Sequence, residues 1–279
     1  MSPTAKRSLG CALISVFLIL CSCSSQPAGP KIGTPAFYWQ AAREVYAAGD
    51  YNKTLQHLDN VLATDNEYTP RALSWALVLK SGLASGYMEA AENYDLGAHK
   101  SRTDPAAFRR LVSDYRQSAS RLALQFAEDF GKLDKVSGDT IPIEFTYPKG
   151  TAAPVSLFTK VTTGVTLTPA ETDTALQRAL ERGVLLAACR AVGAPNDTAK
   201  AEDIFRAGTV LVRRATFLMG MAQQLYDLSQ LYITDKLDQP QMLEALCQRA
   251  QNALKAIPES KDTKELDGKI QAALKKTKK

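Results

Sequence analysis

Histidines, paired carboxylates and thiols are the side chains whose spacing could declare a chemistry in this chain. Its two histidines, His57 and His99, fall in different helical segments and lack the H-E-x-x-H spacing that brings two imidazoles to one metal. Both read as solvent-facing helix residues, so neither a metal nor a cofactor is expected. Glu89, Glu92 and Asp95 are the acids a glycan-acting enzyme would draw on. They lie along one helix, too close to straddle a sugar unless a second helix supplies a carboxylate. No phosphate-binding G-x-x-x-x-G-K-[ST], nucleophile elbow G-x-S-x-G or dinucleotide G-x-G-x-x-G is present. A non-catalytic protein is the expectation. Cys189 and Cys247 sit in apolar helical stretches, LLAACRAV and LEALCQRA, either as two separately buried thiols or as a disulfide. The thiols most telling by position are Cys21 and Cys23, in LCSCSSQPAGP at residues 20–30.

Upstream of that stretch stand Lys6 and Arg7 and an uncharged run from Leu9 to Leu20. This is the length of an export signal and short for a membrane span. Leu20-Cys21-Ser22-Cys23 resembles the lipobox of bacterial lipoproteins. The resemblance implies cleavage after residue 22, a diacylglycerol on the Cys23 thiol and a further acyl chain, such as palmitate, on its freed amine. Two or more chains give a lasting membrane anchor, since each buried methylene contributes about 0.8 kcal/mol. In the lipoproteins of diderm bacteria a residue other than Asp after the anchor implies sorting to the outer membrane, and here that residue is Ser24. The implied location is the outer membrane, facing the periplasm. Residues 23–34 then read as the lipid anchor and a flexible Ser/Pro/Gly tether.

Removal of residues 1–22 takes Lys6 and Arg7 from a chain with 34 Lys+Arg and 29 Asp+Glu, leaving 34 − 2 − 29 = +3. So small an excess, on an exported chain, excludes nucleic acid as a partner and points to no strongly charged ligand. The closing KKTKK reads as a solvated tail.

Helices must position whatever site exists. Thr34-Pro35, Thr69-Pro70, Asp104-Pro105, Thr168-Pro169 and Gln239-Pro240 each precede an apolar pattern of helical period. Proline's missing N–H costs nothing in a first turn, and a preceding Thr or Asp can accept from an orphan amide. Thr168 to Glu171 fits a capping box. One amphipathic helix is predicted from Pro105 to Lys135, others over 175–192 and 204–233, and two shorter ones over 241–256 and 263–276. Arg213 and Arg214 argue against a membrane span in the 204–233 segment. The expected class is all-α: a helical region over 35–137, a strap over 138–167, and a C-terminal helical region over 168–279 on the same body. Residues 138–167 are rich in β-branched side chains yet interrupted by Pro142, Pro148 and Pro154. They read as an extended excursion with a short hairpin. It would cover helix grooves with Ile143, Phe145, Tyr147, Leu157 and Phe158, or else act as a ligand lid.

Residues 35–68, PAFYWQAAREVYAAGDYNKTLQHLDNVLATDNEY, resemble a tetratricopeptide repeat. Ala42 takes the small-residue position of its first helix, Gly49-Asp50-Tyr51 its turn, and Leu62 and Asp65 the end of its second helix. Thr54, Val61 and Asn66 depart from the pattern. Residues 71–100 read as a degenerate second pair turning near Gly86 and Ala90. The resemblance implies helical hairpins stacked as an atypical solenoid or bundle. It places Trp39, Gln40, Arg43 and Tyr46 on a concave partner-binding surface, where an aromatic pair beside an arginine would make a hot spot. The alternative is that Trp39 and Tyr46 pack under the next helix. The order of parts is also broadly similar to helical lipoproteins associated with tripartite ATP-independent periplasmic transporters, which implies contact with a periplasmic solute-binding protein. The expected function is an adaptor or scaffold for another envelope protein. An accessory role in solute transport and a glycan-acting enzyme are the alternatives.

Overall fold

A computed structural model describes residues 29–277, so Cys23 and the segment before it lie outside the described residues. Within these bounds the chain is all-α with a short β excursion: ten helices and one two-stranded sheet.

The proline punctuation holds. Helices α1 (Pro35–Ala48), α4 (Pro105–Lys132), α6 (Pro169–Ala191) and α9 (Pro240–Lys255) each begin on the proline. Thr34 and Asp104 accept from the backbone N–H groups of Phe37 and Ala107, and Thr168 and Glu171 close a full capping box. In α3 (Thr69–Lys100) Thr69 is already helical, and its hydroxyl instead accepts from the N–H of Asn66. Helix α1 turns into α2 (Tyr51–Leu62) through Gly49, whose φ of 90° suits a residue without a side chain, and Asp50 caps α2.

Helix α3 is the axis of the molecule. Its 32 residues make a rod of about 48 Å. The predicted turn near Gly86 is absent, because Gly82 and Gly86 admit another backbone instead of bending their own. A Cβ on Gly86 would stand 2.6 Å from the carbonyl oxygen of Ala179, and one on Gly183 would stand 2.1 Å from that of Gly82. Helix α6 therefore crosses α3 at backbone contact and runs antiparallel to it. On another flank α4 returns antiparallel, with Tyr94 against Phe108 at 5.7 Å and Lys80 bonded to Asp129 at 2.6 Å.

The segment 204–233 departs from expectation. It contains the end of α7 (Thr198–Arg206), strand β2 (Val210–Arg213) and α8 (Arg214–Ser229) with a closing 3₁₀ turn. Strand β1 (Thr140–Ile143) pairs antiparallel with β2, from Thr140 opposite Arg213 to Ile143 opposite Val210. The hairpin expected within 138–167 is therefore not formed: the single strand there pairs instead with a segment about seventy residues away. Arg214, at the break, donates to the carbonyls of Leu133 and Val136 and so closes the end of α4. Helix α10 (Lys261–Thr277) finishes the chain against α9 and buries Leu266 and Ile270.

The strap crosses the end of α1, the starts of α2 and α3 and the middle of α6. Ser74 donates to the carbonyl of Pro142, Tyr46 to that of Thr146, Tyr51 to that of Lys149, and Arg182 to that of Ala152. Ile143, Phe145 and Phe158 are buried, and Tyr147 and Leu157 are partly so. Phe158, on the short helix α5 (Leu157–Val161), enters a satellite cluster with Tyr94, Phe108 and Tyr115. No helix among the described residues is long and apolar enough to cross a membrane.

Candidate functional site

The four residues predicted as a partner-binding surface are divided by the fold. Positions 39 and 46, seven apart, share the inner stripe of α1, and both side chains are buried at 6% and 4% exposure. Trp39 stacks on Tyr68 at 5.7 Å and meets Trp75 edge-on at 5.4 Å, with the Arg71 guanidinium over its ring. Tyr46 packs on Tyr51, Trp75 and Phe145, and burial holds its phenol well above its ordinary pKa. Gln40 and Arg43 face outward, and Gln40 bonds to Glu44 at 2.8 Å. The expected four-residue surface is therefore corrected: its aromatic half is core.

The other candidates are also located. His57 is partly buried beside Tyr38, and His99 is exposed at the end of α3. Cys189 and Cys247 are separate buried thiols, both pushed up in pKa by burial, so of the two alternatives the disulfide is not formed. No group of three or more His, Cys, Asp and Glu among the described residues could hold a metal. Glu89, Glu92 and Asp95 do find second helices, but through cations: Arg182 at 2.6 Å, Lys236 at 2.5 Å and Arg116 at 2.9 Å.

Among the described residues, two of the cavities that open on the surface bear on a site. One of about 360 Å³ lies at the α1–α2 turn, between Gly49, Asp50, Tyr51, Leu83, Gln177 and Leu180. Its polar groups are largely committed, with Asp50 capping α2 and Tyr51 donating to the strap. The other, of about 280 Å³, lies between α3, α6 and α8. From α3 come Ser85, Met88, Glu89 and Glu92, three and four residues apart on one stripe. Arg182, Leu186 and Arg190 come from α6, and Gln224 and Asp227 from α8. The glycine crossing just below sets the depth, since two helices at backbone contact diverge into a cleft.

Gln224 is the unusual residue. Its side chain is 1% exposed, and its Oε1 accepts from Arg190 Nη1 at 2.8 Å and from the Ser85 hydroxyl at 3.5 Å. Arg190 Nη1 also donates to Asp227 at 2.7 Å. These donors fix the amide's orientation and turn its NH₂ group the other way. No partner for that nitrogen exists among the described residues. Among the described residues the buried side-chain nitrogen left without a partner is Trp75 Nε1 in the core, not the Gln224 amide. Arg190 Nε and Nη2 and Arg182 Nη2, which are partly exposed side chains, likewise have no partner among the described residues. The cleft is thus lined by arginines already paired with carboxylates, with Met88 and Leu186 beside them. Sequence reasoning reached Glu89 and Glu92 but not Arg182, Arg190, Gln224 or Asp227. The available signal was two arginines eight residues apart in the small, apolar run RGVLLAACR.

A third exposed feature is the edge of β2. Arg214 N–H donates to Asp139 C=O at 2.7 Å, which sets the alternation of the ladder: Ile141 with Val212 is a hydrogen-bonded pair and Pro142 with Leu211 is not. Pro142 therefore loses nothing by lacking an N–H. Leu211 points its own N–H and C=O away from β1, and its side chain is 64% exposed. No family model, curated protein or solved structure matches the chain.

Proposed function

We propose that this protein is a non-catalytic adaptor, lipid-anchored through Cys23 to the outer membrane and facing the periplasm, that captures an extended segment of another envelope protein. The observation that carries the reading is the open edge of β2. An unpaired strand edge is a template for a further strand, and folded proteins ordinarily cover or charge such edges. Here Leu211 and Arg213 share the outward face beside a free N–H and C=O, and Arg213 has no ion-pair partner among the described residues. The fitting occupant is an extended stretch with an apolar residue opposite Leu211 and an acid near Arg213, held by main-chain bonds. The lipid would raise the local concentration of the two partners at one membrane.

The test is a photo-crosslinking amino acid at position 211 in cells, with the same group at Arg43 as control and Cys23→Ala as the unanchored form. One dominant envelope protein, crosslinked through an extended segment and lost in Leu211→Lys, is the expected result. Equal crosslinking from both positions, or capture unaffected by Leu211→Lys in correctly folded protein, would overturn the edge as the binding surface. Labelling with radioactive palmitate that persists in Cys23→Ala would overturn the anchor.

A second reading, an accessory of solute transport that meets a solute-binding protein, is favoured by the α3–α6–α8 cleft. Co-purification with such a protein, dependent on the cleft residues and indifferent to Leu211, would select it.

A further inference from the structure

We infer that this chain seats the N-terminal end of α3 on the membrane, with Ile32 inserted among the lipid acyl chains. The inference rests on the Cys23 anchor proposed above. It adds the face of the protein that meets the bilayer.

A lone exposed apolar side chain usually means little. Ile32 differs in how it is held and in where it stands. It is 80% exposed, against 64% for Leu211 and 55% for Leu96. It occupies the tip of a β-turn over residues 31–34, in which the Lys31 carbonyl accepts from both the N–H and the hydroxyl of Thr34, at 3.2 and 2.7 Å. Gly33 supplies the positive φ, 86°, that the third position of such a turn requires. Thr34 also caps α1 by accepting from the N–H of Phe37. The turn is therefore continuous with the helix, and Ile32 cannot fold back onto the body without breaking that cap.

Ile32 follows Cys23 by nine residues, a length of chain that spans at most about 30 Å. A side chain held so close to the bilayer meets it as an intramolecular partner at high effective concentration, so one isoleucine suffices where a free one would not. Trp39, one turn into α1, stacks on Tyr68 at the start of α3, so the two helices begin at the same end. Phe37 and Tyr38 on that end are partly exposed, and aromatic side chains at such an edge settle at the headgroup level. Lys31 is exposed and can lay its stem along the apolar layer while its ammonium group stays among the headgroups. Asp65 and Glu67, exposed just before α3, offset its charge. The seat thus depends on apolar insertion and not on anionic lipid.

The opposite end of α3 supplies the contrast. Leu96 is exposed as well, but it stands about 40 Å along the helix from Thr69. The first two turns of α3 also hold the strap, with Arg71 paired to Glu144 and Ser74 donating to the carbonyl of Pro142. A seated chain therefore carries the β1–β2 pair near the bilayer surface, where an extended stretch leaving a membrane-embedded partner would pass the β2 edge.

The test uses the full lipidated chain, its lipid verified by mass, in phosphatidylcholine vesicles with brominated or unbrominated acyl chains. The two native tryptophans, Trp39 and Trp75, are buried at 6% and 1% exposure, so emission added by Ile32→Trp or by Leu96→Trp is read above that of the parent chain. Ile32→Trp should lose at least about half of its added emission to the brominated chains, with or without phosphatidylglycerol, because bromine quenches on contact within the hydrocarbon layer. Leu96→Trp should lose none. Lipidated protein in which position 32 is not quenched, in which 32 and 96 are quenched alike, or in which quenching at 32 requires phosphatidylglycerol would overturn the seat while leaving the anchor in place. Protein recovered without a lipid on Cys23 would overturn the anchor, and the seat with it.

Discussion

Helix α3 carries two sets of ion pairs, and they differ in what surrounds them. In its first half Lys80 reaches Asp129 at 2.6 Å and Asp59 at 2.7 Å, and Asp129 is also held by Lys132. Lys80 and Asp129 are 5% and 7% exposed, where α2, α3 and α4 meet. In the second half Glu89 meets Arg182, and farther along Glu92 meets Lys236, at the wall of an open cleft. Buried charges are fixed by what they would cost if separated. Cleft charges can exchange a protein partner for a ligand at small expense. The contrast teaches where to look for function: at the partly satisfied pairs, not the fully satisfied ones.

Several substitutions would break or sharpen this contrast. The largest effect is expected from Asp129→Ala, which leaves Lys80 buried with only the half-exposed Asp59. A loss of about 3–5 kcal/mol is expected, read as a shift of the urea midpoint, and a loss under 1 kcal/mol would erase the distinction. Next is Gly183→Ala, which drives a Cβ onto the Gly82 carbonyl and should cost about 1–3 kcal/mol as the helices part. Tyr51→Phe comes third, at about 1 kcal/mol near neutrality for the lost bond to Lys149.

Tyr51 also gives the interior a pH signature. Burial raises its pKa to about 12, so the folded state holds this proton more tightly than the unfolded chain does. The associated stability is intact below the ordinary tyrosine pKa of about 10 and is lost as pH rises through about 12. Urea midpoints measured up that range should decline less steeply in Tyr51→Phe. The smallest effect belongs to Glu89→Ala, expected at about 1 kcal/mol or less because Arg182 can turn to solvent. Its melting temperature should stay close to that of the parent chain, and a fall as large as that of Asp129→Ala would erase the contrast.

The sequence shows the beginnings of helices far better than their fates. Proline after Thr or Asp is a local signal, and every such start is present. Gly86 looks like a turn because glycine serves both for bending a chain and for admitting a neighbour, and the neighbour, α6, lies about a hundred residues away. VLVR at 210–213 continues the apolar density of α8, so only its partner, TIPI at 140–143, marks it as a strand. The same limit applies to the site. Trp39 and Tyr46 are conspicuous one-helix features and belong to the core. The cleft is assembled from Glu89, Arg190 and Gln224, three ordinary residues on three helices, and exists only after those helices cross.

The pairing of β1 with β2 also orders events in time. Closing a loop of about seventy residues is entropically slower than closing the α3–α4 hairpin. Helices α1 to α4 can therefore gather while the aromatic face of Trp39, Tyr46 and Trp75 still lacks Phe145, which arrives with the strap, and Phe205, which packs on Phe145 at 5.4 Å. A chain delivered N-terminus first carries that sticky face uncovered until residue 213 has emerged. Docking of the strap is what ends that exposure to neighbouring chains.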